Sequence, residues 1–160
     1  MRFCPLCSGS SGNATYIEAG SARLLIDAGL SCKRITELLS RIGVTPDTLS
    51  AILITHEHVD HVRGVNVLSK KYDLPVYANA DTWSMLHEPL SGVAPKNVCV
   101  FESDRDFYLA GARVYPLSCQ RLHRPGKAPD GRRSHRQGRR PQLLLPHGIQ
   151  RRRQEHDRPV

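Results

Sequence analysis

Between residues 55 and 61 the chain reads Thr55-His56-Glu57-His58-Val59-Asp60-His61, which puts four side chains able to ligate a metal inside six residues. Three imidazoles and a carboxylate packed this densely are hard to explain as core packing. The preceding run Ala51-Ile52-Leu53-Ile54 is short, apolar and β-branched, the pattern of a buried strand. The cluster therefore leaves a core strand at its carboxyl end, where α/β folds place chemistry on loops held by a rigid sheet. His56 and His58 stand two apart, and in an extended or tightly turning loop such side chains can point to the same side. Asp60 and His61 follow where the chain bends toward a helix. The spacing thus offers two ligand pairs, suited to two adjacent divalent ions. It is not the H-E-x-x-H helix motif, whose two histidines lie four apart.

The surrounding sequence reads as alternating strands and helices. Met1 to Leu6 is a first strand, with Pro5 as an edge-strand residue. Ser8-Gly9-Ser10-Ser11-Gly12-Asn13 is a turn. It lacks the Lys of a phosphate loop and is one residue short of a G-x-S-x-G nucleophile elbow. Ala14–Glu18 and Arg23–Asp27 form a hairpin around Ala19-Gly20-Ser21. Ser31 caps a helix whose apolar face is Ile35, Leu38, Leu39 and Ile42, and Gly43 closes it. After His61, the spacing of Val62, Val65, Leu68 and Tyr72 predicts a second helix with Gly64 near its start. Lys70 and Lys71 then lie in its last turn, a solvated end that complements the dipole. Leu74–Ala78 is the next strand, so strand, ligand loop, helix and strand make a βαβ unit with a partly parallel sheet. Asp81–Leu86 is a short helix, and 98–101, 105–109 and 112–117 are strands. His87 reads as an isolated surface residue.

The string H-x-H-x-D-H after an apolar strand resembles the signature of the metallo-β-lactamase superfamily. The S-G-S-x-G-N turn at 8–13 and the Leu74-Pro75-Val76-Tyr77-Ala78-Asn79 segment resemble its YycJ-like or WalJ-like branch. Leu25-Ile26-Asp27-Ala28-Gly29 is similar to the superfamily's second strand. The resemblance implies an αββα sandwich, of which residues 1–118 would hold about the first half. It implies metal-dependent hydrolysis by a metal-bound hydroxide, with His56 and His58 on one ion and Asp60 and His61 on the other. Asp60 would also hydrogen-bond the attacking hydroxide, and Asp27 would support the ligand loop from behind. Glu57, between ligands, points away in the family and is not counted as a base. The ligand types favour two zinc ions, with manganese the alternative. The branch is linked to DNA processing, so the expected substrate is a nucleic acid or a small phosphodiester.

Composition matters at one point. The net charge is +8, but it is confined to the end of the chain. Residues 1–118 carry 11 Lys and Arg against 12 Asp and Glu, whereas residues 119–160 carry 12 against 3. The latter segment has almost no apolar period and reads as a basic, disordered tail. It also departs from the family, which continues with further ligands in "H-D-A" and "T-D-x-G-Y" contexts and a final His. No ligand role passes to His123, His135, His147 or His156. Arg, Pro, Gly and Gln enrichment is what GC-rich DNA yields in a wrong frame, so 119–160 is expected to be an out-of-frame translation and the chain truncated and inactive. The competing expectation is a non-enzymatic nucleic-acid-binding protein acting through this arm. The tail holds one Lys and no aromatic residue for stacking. No run approaches the ~20 apolar residues of a membrane span, and no secretory leader is evident, so a cytoplasmic location is expected. Five cysteines, including Cys4 and Cys7 in C-x-x-C spacing, then read as free thiols.

Overall fold

The computed structural model describes residues 1–86 and 90–117. The readings for His87 and for the segment 119–160 lie outside them. Six strands form the main sheet: β1 (Arg2–Cys7), β2 (Ala14–Ala19), β3 (Ala22–Ile26), β4 (Ala51–Leu53), β5 (Val76–Asn79) and β6 (Val98–Phe101), paired in chain order. The first three run antiparallel, and β3 through β6 are parallel. β1 is an edge strand, which is why Pro5 is tolerated there. The strand leading to Asp27 is the third in chain order, as its place in the sequence predicts.

Alternation along the central strands feeds two cores, because successive side chains leave opposite faces of a sheet. Leu25, Ile52, Val76 and Ala78 enter one core; Ala22, Leu24, Ala51 and Leu53 enter the other. The first is covered by helices α1 (Cys32–Arg41), α2 (Val59–Val62), α3 (Val65–Tyr72) and α4 (Ala80–Leu86), which contribute Ile35, Leu39, Val62, Val65, Leu68 and Leu86. The second is covered by a hairpin of β7 (Phe107–Leu109) and β8 (Ala112–Val114). Phe107 stacks between Tyr77 at 5.6 Å and Phe101 at 5.4 Å, measured between ring centroids. The layers are thus helices, main sheet, and a small second sheet, the first three layers of the expected sandwich.

Local chemistry explains the ends of α1. Ser31 accepts from the Arg34 amide at 3.3 Å. At the other end Gly43 adopts φ +72°. Its N–H donates to the Ser40 carbonyl and that of Val44 to the Leu39 carbonyl, both at 3.0 Å, the paired bonds of a Schellman stop.

The second helix departs from expectation. Its periodicity is uninterrupted, yet the structure divides it into α2 and α3 at Gly64. The cause is tertiary. The Gly64 N–H donates to the Ala28 carbonyl at 2.7 Å. A side chain there would stand 2.3 Å from the Leu30 carbonyl oxygen. The chain bends at this glycine so that the ligand loop and the loop after β3 can touch.

Candidate metal centre

The parallel pairing of β3 with β4 aligns Ile26 with Leu53, so Asp27 and Thr55 emerge side by side at the carboxyl end of the sheet. Asp27 is 5% exposed and takes a left-handed backbone conformation, φ +59°. Such a conformation costs a non-glycine residue about 1 kcal/mol or more. The return is a carboxylate with three donors. Oδ1 accepts from the Thr55 amide at 2.8 Å. Oδ2 accepts from Thr55 Oγ1 at 2.8 Å and from His61 Nδ1 at 2.8 Å. Bonds to a charged group contribute about 1.5–3 kcal/mol each, enough to offset the strain.

These bonds set both imidazole tautomers. An ionised carboxylate can only accept, so Nδ1 of His61 carries a proton, and in the neutral ring Nε2 holds the lone pair, which faces the Asn13 Nδ2 donor at 3.1 Å. Thr55 Oγ1 spends its single proton on Asp27, so at 2.9 Å from His56 Nδ1 it must accept. His56 therefore also carries its proton on Nδ1 and leaves Nε2 bare. One buried aspartate thus orients two histidines, one directly and one through a threonine.

The rings of His56 and His58 lie 4.7 Å apart, and those of His56 and His61 3.8 Å apart. His56 thus touches both others, and the two sequence-derived pairs form one contiguous group. Asp60 Oδ2 lies 3.5 Å from His61 Nε2. Two donors about 2.1 Å from one ion at a tetrahedral angle stand roughly 3.4 Å apart, so this pair fits a zinc-sized ion. Among the described residues no three His, Cys, Asp or Glu side chains are placed together so that they could hold a metal ion. Each ion would need further donors. Cys4 and Cys7 on β1 and Cys32 at the start of α1 are free thiols.

The loops around the cluster interlock through backbone bonds. Asn13 N–H donates to the Asp60 carbonyl at 2.8 Å, Gly29 N–H to the Asn13 carbonyl at 2.8 Å, and Ala28 N–H to the His61 carbonyl at 2.7 Å. Gly29 is obligatory here, since a Cβ would lie 1.6 Å from the Asp60 carbonyl oxygen. The sequence reading missed Gly29, Gly64 and the part played by Asn13. Their signal was present as glycines beside Asp27 and after His61, and as an asparagine ending the glycine-serine turn.

Comparison with known proteins now bears on the cluster. The sequence model of the metallo-beta-lactamase superfamily matches residues 8–132. The chain belongs to this superfamily. It is 53% identical over 86 residues to an exodeoxyribonuclease, WalJ, of Streptococcus pneumoniae serotype 2, covering 54% of this chain and 32% of that protein. It is 41% identical over 101 residues to an exodeoxyribonuclease, YycJ, of Bacillus anthracis, covering 63% of this chain and 38% of that protein. The chain thus spans about a third of the length of these relatives. In fold it is similar to a subclass B3 metallo-β-lactamase, with a TM-score of 0.55, 21% identity, and coverage of 66% of this chain and 45% of the other. A β-lactamase from Chitinophaga pinensis gives a TM-score of 0.54 at 16% identity, covering 63% of this chain and 43% of the other.

Electrostatics favours the neutral form of His56. Burial, reinforced by the neighbouring His61 and His58 rings, holds the His56 imidazole below its ordinary value of 6.5. The unfolded chain therefore binds this proton more readily than the folded one. The His56 contribution to stability is complete above pH 6.5 and is lost as pH falls from there through the folded value. Thermal unfolding at pH 7.5 and at pH 5.5 should show a lower midpoint in acid. His56→Gln should narrow that difference, and an unchanged difference would remove His56 as its source.

Proposed function

We propose that the chain carries the ligand loop of a metal-dependent phosphodiesterase acting on DNA. The observation that carries this reading is the junction at the end of β4, where three imidazoles and Asp60 meet and the Asp27–Thr55 bonds leave two Nε2 lone pairs bare. The names of the WalJ and YycJ relatives support DNA as the substrate.

In this reading His56 and His58 hold one divalent ion and Asp60 and His61 a second, with zinc favoured by the nitrogen-rich set and manganese the alternative. When bound, such ions polarise a phosphoryl oxygen and acidify a water at neutral pH. The chain's own residues do the positioning. Asp27 and Thr55 fix the imidazole tautomers and ring directions. Asp60, beside His61, ligates and orients the attacking water. Neither Lys70–Lys71 nor the C-X-X-C spacing takes part.

The same proposal divides the chain into a domain over 1–118 and a basic tail over 119–160. Charge supports the division, since all of the excess positive charge falls in the tail. The superfamily match runs past 118 to residue 132. We further propose that the tail is read out of frame, that this chain turns over poorly, and that the protein acts in the cytoplasm.

Two experiments test this. On DNA with Mn²⁺ or Zn²⁺, the uninterrupted protein should hydrolyse phosphodiesters, and Asp60→Ala should lower the rate at least about 100-fold. Activity retained in that variant would refute the role of Asp60. Resequencing the coding DNA across the codons for Pro116 to Gln120 should reveal a lost or gained base. An unchanged sequence in independent isolates would refute the frame reading and leave the basic arm as the tail's explanation.

A further inference from the structure

Asn13 closes the turn between β1 and β2, and its side-chain amide faces the Asp60–His61 pair. Its Nδ2 lies 3.1 Å from Asp60 Oδ2, 3.1 Å from His61 Nε2 and 3.1 Å from the Gly9 carbonyl oxygen. The orientation of the amide is fixed from the other side, because the Gly9 N–H donates to Oδ1 at 3.1 Å. Flipping the amide would set Oδ1 against the Asp60 carboxylate and Nδ2 against an N–H donor. Both encounters are repulsive.

Nδ2 carries two hydrogens and faces three acceptors. One of the three, the bare lone pair of His61 Nε2, is also a metal-binding lone pair. An ion taken up there removes one acceptor and leaves two hydrogens for two acceptors, the Gly9 carbonyl and Asp60 Oδ2. The backbone of Asn13 is held equally firmly, bonded to the Asp60 carbonyl and to the Gly29 N–H, both at 2.8 Å.

We propose that Asn13 is a positioning residue for the ion held by Asp60 and His61, fixing the rotation of the Asp60 carboxylate by a hydrogen bond to Oδ2. This rests on the metal-binding reading of the loop and adds a residue from a different hairpin to it. The prediction is specific to Asp60, which separates positioning from a general structural role.

The test is a calorimetric titration of the full chain with Zn²⁺ in a double-mutant cycle. Asn13→Ala should weaken Zn²⁺ binding about tenfold or more, the usual consequence of losing a hydrogen-bond partner of a ligand. In an Asp60→Ala background the same substitution should change the residual affinity less than twofold. An equal loss in both backgrounds, or no loss in either, would overturn the proposal while leaving metal binding by the loop intact. No Zn²⁺ binding by the unsubstituted chain would overturn the metal reading and this proposal with it. A variant-free measurement guards against misfolding of the substituted chains. In the unsubstituted chain the Asn13 side-chain amide protons should remain protected from solvent exchange with Zn²⁺ bound, and free exchange would contradict the proposal.

Discussion

The structure around the ligand loop depends on one buried carboxylate. Asp27 ends a core strand in a strained backbone conformation and gathers the Thr55 amide, the Thr55 hydroxyl and the His61 ring. Those three donors lie across a strand boundary that the parallel sheet has already aligned. The sheet supplies position, the carboxylate supplies orientation, and together they turn a polar loop into a set of directed lone pairs. Removing the carboxylate would leave the Thr55 amide, the Thr55 hydroxyl and the His61 ring without their shared acceptor.

Close packing of backbone on backbone makes this arrangement possible. The loop after β3 lies against the ligand loop so tightly that a methyl group at Gly29 or Gly64 would meet a carbonyl oxygen well inside contact distance. The bend at Gly64 breaks a helix that its own sequence would have continued. What the break allows is a direct bond from Gly64 to Ala28, which ties the far end of the ligand loop to the loop that follows Asp27. Local helix propensity yields here to a tertiary contact, at the place where the chemistry sits.

Much of this was legible in the sequence because it is periodic or dense. The buried β4 run, the cap at Ser31 and the stop at Gly43 each obey a local rule, and the histidine-rich string stands out by its density. The βαβ order followed from them, and so did the direction of the sheet. The support role of Asp27 came only through resemblance, since a lone aspartate after a strand is ordinarily a turn residue. The division of α2 from α3 was not legible, because the apolar spacing of Val62, Val65 and Leu68 is that of one continuous helix. Nor was Asn13, because an asparagine after Ser-Gly-Ser-Ser-Gly is fully accounted for as turn chemistry until its distance to Asp60 is known. Contacts across 47 residues of sequence leave no periodic trace.

Asp27 sets the tautomers of His56 and His61 before any ligand arrives. Long-range ¹⁵N–¹H NMR of the histidine side chains at pH 7.5 reads this directly. Both rings should be Nδ1-protonated with unprotonated Nε2, and Asp27→Asn should disturb both. Nε2-protonated rings in the unsubstituted chain, or tautomers indifferent to Asp27, would contradict it.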